Sequence, residues 1–306
     1  VETGTSLETL RGHTIKVADQ LRDAATGPCA AEAPALDISL DATFVRSRHD
    51  GERHMEVRVG NVEAPGGGRQ VFGTVAKSGT SILALIGRNL AVMGRNGDTK
   101  LTAFTDGCSG LRSILTDAGV KDPPILDWYH IAMRLQHAKL SAGGLADETP
   151  GRPSAKGFIV AQVERLHWRI WNGKAKNAHV TIDRIRAVMY VFKNEARRRG
   201  AGASSGKLWH ALHEIDEYLT GQSAWLVNYA KRYRAGLRVG TSITEGTANF
   251  LVNRRMNKQQ QMRWSRGGAD AVLQVRCAIY NGTLGTGFGH LFNPGHEPSQ
   301  QLAMAA

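Results

Sequence analysis

Between Leu36 and Lys77 the apolar residues recur at every second position, and from Ile82 they recur at helical spacing with strand-like runs interposed. This change of period constrains the fold more than any other feature. Leu36, Ile38, Leu40, Ala42 and Phe44 fall on one face, with Asp37, Ser39, Asp41 and Thr43 on the other, as in a half-buried strand. After the turn RHDGER, Met55, Val57 and Val59 alternate with Glu56 and Arg58, and PGGG (65–68) turns the chain into QVFGTVAK (70–77). Three strands joined by short turns make an antiparallel meander. A helix follows on Ile82, Leu85, Ile86, Leu90 and Met93, then the strand KLTAFTDG (100–107), a helix on Leu111, Ile114, Leu115 and Ala118, and a strand ILDW (125–128) behind Asp122-Pro-Pro. The order is βββαβαβ. Strands separated by single helices pair in parallel, so the expectation is an α/β chain with a mixed five-stranded sheet and helices on both faces.

Residues 131–240 carry helical patterns throughout, among them IAMRLQHAKL, FIVAQVERLHWRIW and LWHALHEIDEYL, and no strand signal. A last helix is expected from about Thr244 through Asn257, with helical periodicity again over Ala271–Ile279. The expected division is therefore 1–35, helices and a linker (GPCAAEAPA, 27–35); 36–130, the first part of the α/β core; 131–240, an all-α insertion; 241–280, the closing helices; and 281–306, a Gly-, Pro- and Gln-rich tail expected to be poorly ordered. At the N-terminus, Thr5-x-x-Glu8 reads as a capping box, with Leu7, Leu10, Ile15 and Leu21 on one helical face. The chain begins at Val1 without an initiator methionine, which reads as a fragment or truncated frame.

Net charge is +12 with pI near 9.9, and residues 151–240 hold seventeen Lys and Arg against six Asp and Glu. A surplus so localised points to a polyanion, nucleic acid first among them. Cys29, Cys108 and Cys277 form no CxxC pair, which argues against a thiolate zinc site, so any metal would be held by oxygen. No run of eighteen apolar residues and no leader pattern is present, so the expectation is a cytoplasmic protein without membrane association.

In the βββαβαβ order, which is that of an RNase H-like core, the middle of the first strand lies beside the end of the fourth. Asp41 and Asp106 would then be close, and paired carboxylates favour a hard, oxygen-liking cation between them. Glu245 is the candidate third carboxylate, with Asn249 and Asn253 following at i+4 and i+8. Each has a plainer reading: a solvent-facing strand residue for Asp41, a turn and helix cap for Asp106, and a favourable first-turn position for Glu245.

The blocks DATFVRS, TDGCSGLR, ILDWYHIAMRLQH and VNRRMNKQQQMRWS with GGADAVLQVR resemble the ISKra-type bacterial insertion-sequence transposases, a Mutator-like branch of the RNase H-fold DDE recombinases, over roughly residues 36–280. The resemblance implies an RNase H-like fold (βββαβαβ-α) with a large helical insertion before the last catalytic helix. It also implies a metal-dependent DNA transposase whose triad is Asp41, Asp106 and Glu245, holding two Mg²⁺ or Mn²⁺ ions. The family's Asp-x-x-His signature falls on Asp127 and His130, with His130 a candidate catalytic group, or a capping Asp and structural His. The implied DNA contacts are Arg197, Arg198, Arg199, Lys231, Arg232 and Arg234 in the insertion, and Arg254, Arg255, Lys258 and Arg263 beyond the glutamate. Implied partners are element terminal inverted repeats and target DNA, in a dimer or larger synaptic complex associated with the nucleoid. The competing expectations are a structure-selective endonuclease on the same fold that does not join, and a truncated DNA-binding remnant without turnover.

Overall fold

The computed structural model describes residues 6–23, 31–49, 51–194, 203–240, 246, 249–257 and 262–284. The expected meander is present as Ala35–Arg46 (β1), His54–Glu63 (β2) and Arg69–Val75 (β3), antiparallel throughout, with Asp41 opposite Val59 and Gly60 opposite Phe72. Gly60 is a glycine because a Cβ there would lie 2.5 Å from both the Phe72 ring and the Ser39 carbonyl oxygen. Lys100–Thr105 (β4) and Ile125–Leu126 (β5) are parallel, and the five strands make one mixed sheet in the order β3-β2-β1-β4-β5. The chain is thus α/β with a five-stranded mixed sheet.

The chain packs as two compact units, the first comprising 1–103, 110–122 and 243–306 and the second 104–109 and 123–242, so that β4 passes from one into the other. In the first unit the sheet is covered on both faces. Leu36, Ile38, Leu40, Val62 and Phe72 pack with the helices Ile82–Val92 (α2) and Ser109–Asp117 (α3). Val45, Met55, Val57, Val59, Val71 and Val75 pack on the other side with a π-helix, Asn249–Asn257, and with the helix Arg266–Tyr280 through Ala269, Leu273 and Cys277. Two covered faces explain why Val45, on the face opposite Leu36, Ile38 and Leu40, is fully buried, while burial on the Leu36 face ends before Phe44, which is 56% exposed near the end of β1.

The N-terminal helix, Leu7–Asp23 (α1), departs from expectation in two ways. Ser6 receives the Thr9 N–H at 3.1 Å, while Thr5, the expected cap, lies outside the described residues. Leu7, Leu10 and Ile15 are exposed, and attachment comes instead from buried Ala18 and from Arg22. Arg22 reaches Asp270 on the Arg266–Tyr280 helix, whose fully buried carboxylate also receives Thr74 Oγ1 (3.0 Å), the Val75 N–H (2.9 Å) and Thr80 Oγ1 (2.8 Å). The same helix and its C-cap serve the outer strand β3 twice more: Gln274 donates to the Gly73 carbonyl (2.8 Å), and Asn281 exchanges two bonds with the Val71 backbone (2.8 and 2.9 Å). Side chains therefore occupy backbone groups of β3 that an edge strand would otherwise offer to another chain.

The second unit is helical: Trp128–Gly143 (α4), Arg152–Trp171 (α5), Ala175–Val188 (α6), Ser204–Gln222 (α7) and Tyr229–Arg234 (α8), with Arg266–Tyr280 of the first unit numbered α9. Its apolar core runs from Phe104, Ile125 and Leu126 through Ile131, Leu135, Leu166, Ile182 and Leu212. Trp128, partly buried, packs against that core, with ring centroids 4.6 Å from Trp171 and 5.0 Å from Tyr229. The last helix expected from Thr244 is described from Asn249 and has π rather than α geometry, and α9 begins at Arg266, five residues ahead of the expected periodicity. Residues 285–306, most of the expected tail, lie outside the described residues.

Candidate functional site

Asp41 lies midway along β1 and is half-buried. Its partner across the ladder is Val59, so strand geometry puts its side chain on the face where Val45, Val57 and Val59 meet the π-helix Asn249–Asn257 and α9. One carboxylate oxygen, Oδ1, accepts the N–H of Ala42 at 2.8 Å. Glu245 lies outside the described residues; in sequence it stands four residues before that helix, on which Asn253 is half-buried.

Asp106 follows β4 directly, in the second unit. Its Oδ1 accepts the Cys108 N–H at 2.9 Å, closing a small turn, and Gly107 has φ +102°. The turn is gripped from α7: the Tyr218 hydroxyl donates to the Asp106 carbonyl oxygen (2.9 Å) and Gln222 Nε2 to the Gly107 carbonyl oxygen (3.2 Å). A Cβ on Gly107 would lie 3.1 Å from the Gln222 side chain and 3.2 Å from Leu126. Tyr218 is also faced by the Arg134 guanidinium, 4.3 Å from its ring centroid. Tyr218 and Gln222 escaped the sequence reading because their partners stand more than a hundred residues away. Their only trace in the sequence is a polar pair four apart on a helix otherwise anchored by Leu208, Leu212, Ile215 and Leu219.

The Asp-x-x-His signature is a helix start. Asp127, fully buried, is the N-cap of α4 and accepts the Tyr129 N–H at 2.9 Å. Its other oxygen lies 3.6 Å from His130 Nε2, ion-pair range but too long for a hydrogen bond. The chain at Gly240 passes so close that a Cβ there would lie 2.7 Å from Asp127 Oδ1. Within one unit, then, the structure brings together Asp127, His130 and the segment ending the helical region. Tyr229, buried with its hydroxyl on the Leu126 carbonyl (2.8 Å), is pushed well above the ordinary tyrosine pKa chiefly by burial.

The expected DNA contacts fare unevenly. Lys231 and Arg234 are exposed on α8, whereas Arg232 Nε donates to the Arg238 carbonyl (2.9 Å) and its guanidinium lies 5.7 Å from the Phe104 ring centroid. Arg263 is exposed beside a β-bridge joining Ser47 to Trp264. Arg197, Arg198, Arg199 and Lys258, and the side chains of Arg254 and Arg255, lie outside the described residues. Other cations of the helical unit serve packing: Arg186 and His179 both bind Asp216 at 2.7 Å. Burial works to raise the Asp216 carboxyl, but those two hydrogen bonds outweigh it and hold it below the ordinary value.

Among the described residues no three His, Cys, Asp or Glu side chains gather as a metal site. The candidate ligands nonetheless suit a hard cation in chemistry, since Asp41 and Asp106 are half-buried carboxylates. Among the described residues no helix is long and apolar enough to cross a membrane. No family model and no curated protein matches the chain.

Proposed function

We propose that the chain is a DDE-type transposase on an RNase H-like fold, cleaving DNA at element ends and transferring the freed strand into target DNA. The observation that carries this reading is the placement of Asp41, on the face of the sheet packed by the helix that follows Glu245. The strand order, with β1 beside β4, supports it, because Asp106 directly follows β4. Mg²⁺ or Mn²⁺ held by Asp41, Asp106 and Glu245 would activate the attacking oxygen and stabilise the leaving one. The chain's own groups then have defined tasks. Tyr218 and Gln222 fix the backbone that carries Asp106. Asp127 holds the start of α4 and with it His130, which in this reading would donate to a scissile phosphate. Exposed cations such as Lys231, Arg234 and Arg263 bind phosphates without reading sequence.

The test is metal-dependent cleavage and joining of an oligonucleotide bearing the flanking element end, comparing the chain with Asp41→Asn and Glu245→Gln. Both variants should lose cleavage and joining while still binding DNA. Joining that survives Asp41→Asn overturns the reading. Cleavage that requires Asp41 but never yields joined product would instead identify an endonuclease.

A further inference from the structure

A cleft of about 440 Å³ in the first unit is lined by Arg46, Ser47, His49, Gly51, Glu52, Arg53 and Arg263. Its walls are built by backbone rather than by chance approach of side chains. The Trp264 N–H donates to the Arg46 carbonyl (2.9 Å) and the Arg48 N–H to the Trp264 carbonyl (3.0 Å), so the strand end carrying Arg46 and the segment carrying Arg263 are locked side by side. The Ser47 N–H bonds the Arg53 carbonyl (3.0 Å), which holds Arg53 across the hairpin. Among the described residues that line it the acid is Glu52, which is taken by Arg266 at 2.5 Å. Arg46, Arg53 and Arg263 are all exposed, and none has a carboxylate partner among the described residues. Three arginines that line one cleft on backbone held in this way concentrate positive charge there, and an oxyanion is the species that such charge attracts.

We infer that this cleft binds phosphodiester groups of a DNA strand, seating the duplex at the β1–β2 hairpin through Arg46, Arg53 and Arg263, with His49 as an accessory donor. The inference rests on the nucleic-acid reading above, and extends it to a hairpin whose arginines had no distinguishing sequence cue. Guanidinium forks suit phosphate bidentately, so these contacts supply affinity and orientation rather than base readout.

The experiment uses the whole chain and a fluorescently labelled DNA duplex, with anisotropy measured across a salt series. The triple variant Arg46→Gln/Arg53→Gln/Arg263→Gln should bind about tenfold or more weakly at moderate salt, with a salt slope shallower by about 0.9 for each phosphate contact removed. Lys16→Gln/Lys100→Gln/Lys121→Gln lowers the net charge equally on exposed positions elsewhere in the same unit and should change binding much less. Arg46→Lys/Arg53→Lys/Arg263→Lys keeps the charge and guards against misfolding of the glutamine variant; it should keep the slope while losing affinity. A glutamine variant that binds and salts out like the parent overturns the cleft assignment alone, whereas a parent that binds no duplex at low salt overturns the nucleic-acid reading as well. If inorganic phosphate raises the melting temperature of the parent but not of the glutamine variant while their duplex affinities are equal, the cleft serves a free oxyanion and the DNA assignment is wrong.

Discussion

Asp270→Asn tests the internal logic of the first unit. The native carboxylate accepts five hydrogen bonds: Oδ1 from Thr74 Oγ1 and the Val75 N–H, and Oδ2 from Arg22 Nε, Arg22 Nη2 and Thr80 Oγ1. An asparagine keeps one acceptor oxygen and turns an NH₂ toward the other set. The threonine hydroxyls can rotate to accept from it, but the Val75 N–H and the Arg22 guanidinium cannot. Whichever way the amide settles, one buried donor faces another, at about 1–3 kcal/mol, and Arg22 loses its buried counter-charge. Breaking a fully buried pair by removing one charge costs about 3–5 kcal/mol; Arg22 is 24% exposed and keeps Asp19 as a partner, so we take the low end, about 3 kcal/mol, as the total. For a unit of this size each kcal/mol lowers the melting temperature by about 2–4 °C, so the expected fall is roughly 6–12 °C. Five of the six tryptophans lie in the second unit, so fluorescence would follow the wrong transition. Calorimetry, with hydrogen exchange read at the amides of β3 and α9, follows the right one. A variant melting within about 2 °C of the parent, with β3 amides equally protected, would refute the assigned role of the carboxylate.

Gly107→Ala should destabilise the second unit by about 1–3 kcal/mol, because a side chain at φ +102° is strained and its Cβ presses on Gln222 and Leu126; thermal melting checks it, and an unchanged melting temperature refutes it. Asp216, held below its ordinary value of 3.8, contributes stability that is full above pH 3.8 and is lost as the pH falls through the lower folded value. The gap in melting temperature between the parent and Asp216→Asn should therefore be wide at pH 7 and narrow below about pH 4; a constant gap contradicts it. Burial pushes the Cys277 thiol up to about 12, while Cys108 is exposed. In a Cys29→Ser/Cys108→Ser chain, thiol reagents should react only after denaturant is added.

Much of the α/β architecture was legible because short-range rules govern it. Period-two alternation gave β1 to β3, and Pro and Gly punctuation placed α2, β4, α3 and β5. The failures have physical causes. Alternation puts Phe44 on the buried face of Leu36, Ile38 and Leu40 but cannot say how far along the strand that cover reaches, nor that Val45 is buried on the other face. Leu7 and Leu10 formed a helical stripe, yet α1 is attached through Ala18 and Arg22, and neither a small residue nor a charge registers in a hydrophobic pattern. At the candidate site, Asp41, Asp106 and Asp127 stood out as carboxylates in strands or at strand ends. Their neighbours could not be read: Tyr218 meets Asp106, and Gly240 meets Asp127, across more than a hundred residues of chain. Nor could the sequence say that Arg46, Arg53 and Arg263 share a cleft, which depends on a single bridge between Ser47 and Trp264.

The covering of β3 by α9 bears on how the protein is made. Val71, Gly73 and Val75 emerge from the ribosome early, but Asp270, Gln274 and Asn281, which occupy their backbone groups, are synthesised some two hundred residues later. At about 5–20 residues per second that delay is roughly 10–40 s. Throughout it the nascent meander presents an open edge and an uncovered valine face, while the helical unit between, from residue 123 to 242, has the time and the contiguous sequence to fold first. A growing chain of this kind is most vulnerable to pairing with its neighbours on a polysome during that interval, and slowing translation after residue 242 would lengthen the exposure.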